Sequence, residues 1–116
     1  KEAPQIRAAL GDMARGAEAG GQMMTLMSLP DGTDFCQLLK GLPHDHCQCP
    51  HWGYLMSGEI SVDYQDGQTE TVKPGDLYYW PPGHTIKVKG DTQYVEFSPA
   101  KDMREVLDHV IGNLSG

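Results

Sequence analysis

The sequence predicts an all-β barrel or sandwich finished by a C-terminal amphipathic α-helix. Three observations carry that expectation. From residue 22 onward, short apolar runs are separated by Gly, Pro and Asp turn signals every 8–12 residues or so. Residues 59–64, "EISVDY", alternate strictly between polar and apolar side chains, as a half-buried strand does. Residues 103–114 instead repeat apolar side chains at helical spacing.

The elements follow in order. A chain of 116 residues is long enough for one domain with a single modest core. Its 14 Gly and 8 Pro favour many turns over long helices. Residues 1–21 place only Ile6, Leu10 and Met13 at helical spacing and are interrupted by Gly11 and Gly16, so an arm or a short helix is expected there. Residues 22–98 form the barrel, with about eight strands. Their segments are "MMTLMSL", "FCQLL", "CQCPHWGYLM", "EISVDY", "QTETV", "LYYW", "HTIKVK" and "TQYVEF". Asp66-Gly67 is the strongest hairpin signal, and Gly90-Asp91 is read as the turn between the last two strands. Residues 99–116 form the helix, with Ser98 as its N-cap and Pro99 at its first position. Met103, Val106, Leu107, Val110, Ile111 and Leu114 share one face, which is expected to cover an outer face of the sheet.

Charge and composition narrow the partners. A net charge of −7 repels phosphate, which argues against nucleic acid and anionic membranes. No apolar run approaches the roughly 20 residues that span a bilayer. The start at Lys1 suggests a trimmed chain or a removed leader. Cys36, Cys47 and Cys49 are an odd set, and Cys47 and Cys49 lie too close in sequence for an easy disulfide. Free thiols point to a reducing, cytoplasmic compartment. Cys36 is expected to be a small buried hydrophobe.

Period-two logic assigns directions to the stretch "HCQCPHWGY" at 46–54. Cys47, Cys49, His51, Gly53 and Leu55 fall on one face, and Trp52, Tyr54 and Met56 on the other. Both faces are apolar, so the Trp52 side is expected to meet the helix, the N-terminal arm or a partner subunit. His84 shares the parity of Ile86 and Val88 and points inward, whereas Lys87 and Lys89 face water.

At this point the chain resembles the cupin superfamily. Gly75, Pro81 and Gly83 match the spacing of that family's second motif, and Gly58 matches the last glycine of the first. The resemblance covers residues 22–98 and implies a small single-domain cupin, a jelly-roll double-stranded β-helix barrel, with a metal inside it. It also implies that the protein is a homodimer. His51 falls where the family places Glu. His44 and His46 fall at the paired histidines when the longer gap is counted, and Asp45 and Cys47 when the shorter one is. Ile86 occupies the place of the second-motif histidine, with His84 two residues earlier on the same face.

Two donor sets follow. Cys47, Cys49, His51 and His84 would offer two sulfurs and two nitrogens, suited to zinc, iron or copper. His44, His46, His51 and His84 would make an all-imidazole site. Donors two residues apart on a flat strand are roughly 6.5 Å apart, so Cys47, Cys49 and His51 all bind one ion only with a bulge at Pro50. Otherwise one of them drops out. The plainer reading keeps Cys47 and Cys49 as buried apolar side chains and His84 as a core histidine bonded to a tyrosine or a carbonyl. Tyr64, Tyr79, Leu55 and Ile86 are expected to line the pocket for a small-molecule ligand. The function expected is a metal-dependent small-molecule site, with oxygenase or isomerase chemistry. The other reading is a non-catalytic ligand-binding, metal-sensing or redox-sensing module. Few titratable groups stand near the site in the sequence, Tyr64 and Tyr79 being the main ones.

Overall fold

The structure, a computed structural model, describes residues 10–36 and 38–115. Six strands and one helix make the framework: β1 (Ala14–Ala19), β2 (Gln22–Leu29), β3 (His51–Tyr64), β4 (Thr69–Val72), β5 (Leu77–Trp80), β6 (His84–Pro99) and α1 (Ala100–Ser115). All pairings between strands are antiparallel, in the order β1-β2-β6-β3-β4, with β5 also on β3. This is an antiparallel β-barrel with one C-terminal helix, the all-β class that the turn spacing predicts.

Two of the expected strand boundaries are absent. "CQCPHWGYLM" and "EISVDY" supply one strand, β3, and "HTIKVK" and "TQYVEF" supply another, β6. The register of β3 on β6 shifts at Leu55/Ser57 and again at Ser57/Glu59. Gly58 sits in this break at φ +79°, and a Cβ there would stand 2.0 Å from Thr92 Oγ1. Only glycine fits that position, and the bulge bends the strand across the barrel. The first half of β3 therefore pairs with β5 and the end of β6, and its second half with β4 and the start of β6.

Other expectations change too. Residues 14–19, expected as arm or short helix, form β1, because Gly20 and Gly21 both take positive φ and close a tight hairpin onto β2. Residues 1–9 of the expected arm lie outside the described residues. "FCQLL" is no strand. The Leu38 and Leu39 N–H groups donate to the Phe35 carbonyl, a turn that the i, i+3, i+4 apolar spacing suits equally well. Cys36, expected inside, is exposed.

The helix also differs from the expectation. Ser98 and Pro99 still pair with Met23 and Gln22, so α1 begins at Ala100 and Ser98 is not its cap. The helix does not lie on the outer face of the sheet. Met103, Val106, Leu107 and Val110 close over the interior, lining the same cavity as His51 and His84. Leu114 is 55% exposed and takes no part. Among the described residues, nothing covers the outer face, where Trp52, Tyr54, Leu77, Tyr79 and Phe97 are each at least 41% exposed. Two rows cross it, Met24-Phe97-Trp52-Tyr79 and Leu26-Val95-Tyr54-Leu77, each residue the sheet partner of the next. Among the described residues, no helix is long and apolar enough to cross a membrane.

Candidate metal centre

Cys47 comes just before β3 and meets His84, the first residue of β6, in a β-bridge. The Cys47 N–H donates to the His84 carbonyl at 2.7 Å, and the His84 N–H donates back at 3.2 Å. His51 opens β3 opposite Trp80 of β5. These backbone pairings bring three buried donors together. The Cys47 sulfur and one ring nitrogen from each of His51 and His84 all lie within 4.8 Å of one another. Cys47 Sγ is 3.5 Å from His51 Nε2, and the two imidazoles stand edge to face with centroids 4.9 Å apart.

Each ring is held from behind. His84 Nδ1–H donates to the Pro81 carbonyl at 2.8 Å, which fixes the lone pair on Nε2. His51 Nδ1 lies 2.6 Å from Ser98 Oγ and 3.4 Å from Glu96 Oε2. With its proton assigned to Nδ1, where both oxygens accept, His51 Nε2 is free on the Cys47 side. Backing of this kind fixes the tautomer and orientation of metal-binding histidines.

Burial sets the charges. Desolvation holds His51 well below the ordinary histidine range and, with the nearby His46, brings His84 down to about 4, against a raising contribution from its bond to Pro81. Both rings are therefore neutral at pH 7. Burial pushes the Cys47 thiol up to about 12, with the Glu96 charge adding to it and the Cys49 backbone working against it. Without a cation, the cluster is one thiol and two neutral imidazoles.

Glu96 is the residue that the sequence reasoning missed. It is 4% exposed, lines the cavity, and accepts a hydrogen bond from the Tyr78 hydroxyl at 2.9 Å. Desolvation raises it to about 8, although the Tyr78 bond opposes the rise. Its approach to His51 is therefore a contact between neutral groups below that pH and not an ion pair. Glu96 follows Tyr94 and precedes Ser98 on the inward face, so the parity of those neighbours was the available signal.

The other expected site residues are placed as follows. Cys49 is buried, but its sulfur lies 3.4 Å from the Pro50 carbonyl and outside the three-donor cluster. The strand does not bulge to bring in all three donors, so one of them drops out. His44 is exposed, at φ +58° in the 3-10 turn Pro43–Asp45, and His46 is half-buried. Neither joins the cluster. Ile86 lines the cavity, whereas Leu55 is fully buried elsewhere in the core. Tyr79, expected as pocket wall, is 48% exposed on the outer face and stacks on Trp52 at 5.1 Å. The pairing of β5 on β3 turns Tyr78 and Trp80 inward instead. Tyr64, expected in the pocket, is half-buried and donates to Glu70 at 2.8 Å, away from the cavity lining.

The donor set fits a metal ion. Tetrahedral zinc with bonds of about 2.0–2.3 Å needs its ligand atoms roughly 3.3–3.8 Å apart, a small contraction from the spacing present. One sulfur and two imidazoles suit zinc, iron or copper better than magnesium or calcium. Three protein donors leave a fourth position for another ligand. Beside them is a cavity of about 80 Å³, lined mainly by apolar side chains.

The fold and the motif spacing have counterparts among known proteins. A cupin domain model matches residues 26–97. No curated protein matches the sequence. Among solved structures, a cupin superfamily protein of Desulfitobacterium hafniense is similar at a TM-score of 0.55 and 20% identity, covering 75% of this chain and 73% of that one. A cupin-2 domain protein of Shewanella frigidimarina gives 0.52 and 18%, covering 74% and 78%. A variant of the oxalate decarboxylase of Bacillus subtilis gives 0.55 and 19%, covering 74% of this chain but only 24% of its own. These likenesses show the fold, and the cupin domain model, which spans more than half of the chain, establishes that the chain belongs to the cupin family.

Proposed function

We propose that this cupin binds one divalent transition metal, zinc, iron or copper, through Cys47, His51 and His84, and presents it to a small molecule inside the barrel. The observation that carries the reading is the convergence of three buried donor atoms within 4.8 Å, with both imidazoles backed at Nδ1. Bound there, the metal would supply a Lewis acid with an open position. Cys47, His51 and His84 would hold it. Met103 and Leu107 of α1 would exclude bulk water. Glu96, bonded to Tyr78, would hold a proton within the same cavity, and that is the equipment a metal-dependent oxygenase or isomerase needs.

The test is elemental analysis of protein purified without added metal or chelator. Near one metal per chain is expected. His51→Ala and His84→Ala should each remove most of it, Cys47→Ser should weaken it, and His44→Ala should do little. A protein still metal-free after reconstitution would overturn the reading.

The alternative is a non-catalytic metal or redox sensor, favoured by the small cavity and by a thiol among the donors. Reversible metal release on oxidation of Cys47, without turnover of any small molecule, would select it. Cys36, Cys47 and Cys49 are all free thiols, which supports a reducing, cytoplasmic setting.

The proposal includes a homodimer through the outer sheet face. Trp52, Tyr54, Leu77, Tyr79 and Phe97 are each at least 41% exposed there, on three adjacent strands and without a charge among them. In a chain of net charge −7, an uncharged face lets two copies meet without acid-acid repulsion.

A further inference from the structure

We infer that the cavity beside the metal centre is a subsite for a short-chain monocarboxylate, received by the indole N–H of Trp80 and the hydroxyl of Thr85. Both residues line the cavity, at 1% and 6% exposure, and Trp80 Nε1 and Thr85 Oγ1 are buried with no hydrogen-bond partner. An indole N–H can only donate, so its missing partner is an acceptor. Leaving such a group unpaired in a dry interior is costly, and a native fold keeps few of them. The Trp80 ring stands against both imidazoles, with centroids 5.6 Å from His84 and 6.2 Å from His51. A ligand reaching the metal from this cavity therefore passes beside the indole.

Charge and size select the ligand class. The inference rests on the metal reading for its charge argument. A divalent ion held by one thiolate and two neutral imidazoles keeps a single net positive charge, which matches a monoanion. Among the described residues, no Lys or Arg lines the cavity to offset a second negative charge, which favours a monoanion over phosphates and dianions. A cavity of about 80 Å³ with Met103 and Leu107 in its wall admits a short alkyl chain and little more. A carboxylate offers two oxygens on one carbon, one for the metal and one for the donors.

The experiment follows the two tryptophan indole N–H resonances by NMR while acetate, propionate or pyruvate is titrated into zinc-loaded and zinc-free protein. Trp80→Phe assigns the resonances. The Trp80 indole proton should move downfield saturably, while that of Trp52, on the outer face, stays in place. Trp80→Phe and Thr85→Val should each weaken carboxylate binding, by about tenfold for the indole. Trp80 is a core residue, so the shift in the parent protein, which needs no variant to fold, decides. A saturable shift in either form supports the inference. No shift in either form overturns it, including the case in which buried water alone satisfies the indole. Zinc content measured on the same samples keeps the two readings apart. Zinc bound without an indole shift sinks only the subsite, and a shift without zinc binding sinks only the metal.

Discussion

The Tyr78 hydroxyl donates to the Glu96 carboxylate at 2.9 Å, across a residue that has no side chain. Gly53 of β3 is the sheet partner of both, Tyr78 on β5 and Glu96 on β6. A Cβ on Gly53 would stand 2.3 Å from the Tyr78 ring and 2.5 Å from the Val95 carbonyl. The bond that holds the one carboxylate in the cavity thus depends on a glycine one strand away.

Gly53→Ala should push Tyr78 off Glu96 and destabilise the protein by about 1–3 kcal/mol, the usual range for overpacking a tight interior. Tyr78→Phe should remove only the bond and cost about 1–3 kcal/mol, because Glu96 is left without its donor. Chemical denaturation of both variants checks this. A Gly53→Ala variant as stable as the parent would show that Tyr78 can settle elsewhere at no cost.

Glu96 makes the stability of the chelator-treated protein fall with pH between about 4.5 and 8 and adds no slope above that. Its folded pKa of about 8 lies above the ordinary 4.5, chiefly through desolvation. The folded state therefore binds the proton more tightly, and this contribution is complete below about pH 4.5 and lost as pH rises through 8. His51 and His84 have the opposite sign. Both folded values lie below 6.5, that of His84 at about 4, so their contribution grows as pH rises toward 6.5 and is complete above it. Thermal melts should show the parent losing stability relative to Glu96→Gln between pH 6 and 8, by a few kcal/mol at most. Parallel profiles over that range would mean that Glu96 does not titrate there.

Why Glu96 was harder to read than His51 and His84 follows from the two faces of the sheet. Parity works where apolar residues mark the inside, as Ile86 and Val88 do for His84. In "TQYVEF" the apolar Val95 and Phe97 face outward onto the uncovered patch, while Thr92, Tyr94 and Glu96 face the core. The pattern there points the wrong way because the outer face is itself apolar. "LYYW" is ambiguous for the same reason, and only its pairing with β3 separates buried Tyr78 from exposed Tyr79. The barrel was readable from turn spacing and motif glycines, since turn chemistry is local. The bends that fuse two segments into β3 and two into β6 depend on cross-strand contacts such as Gly58 with Thr92, which no local window contains.

Leu107 should matter far more than Leu114. Leu107 is 2% exposed and lines the cavity, whereas Leu114 is 55% exposed on the same helix. Leu107→Ala should cost about 2–5 kcal/mol and enlarge the cavity, and Leu114→Ala should stay within about half a kcal/mol. Equal effects in denaturant melts would show that α1 does not seal the barrel.

Leu77→Glu should separate the proposed dimer. Leu77 is 83% exposed beside Tyr54, on a face shared with Trp52 and Phe97. In an isologous interface each substitution is met by its symmetry mate or by its neighbours, so one new charge per chain is buried twice. Sedimentation should show dimer in the parent and monomer in the variant, with the melting profile of the isolated subunit little changed. A parent that sediments as a monomer at all concentrations would assign the patch to some other cover.

Metal binding should release a proton, and the affinity should record it. Cys47 is a thiol at neutral pH because burial raises it to about 12, and a metal takes up the thiolate. His51 and His84 are already neutral above about pH 6.5, so they release nothing there. One proton per ion then leaves Cys47, and apparent zinc affinity should rise about tenfold per pH unit from 7 to 9. Competition titrations against a chelator of known pH dependence measure the slope, and calorimetry in buffers of different ionisation heat counts the proton. Cys47→Ser should flatten the slope as well as weaken binding, because a serine hydroxyl does not become an anion in this range. A parent slope near zero, with zinc still bound, would mean that the thiol stays protonated and the two imidazoles hold the ion without it.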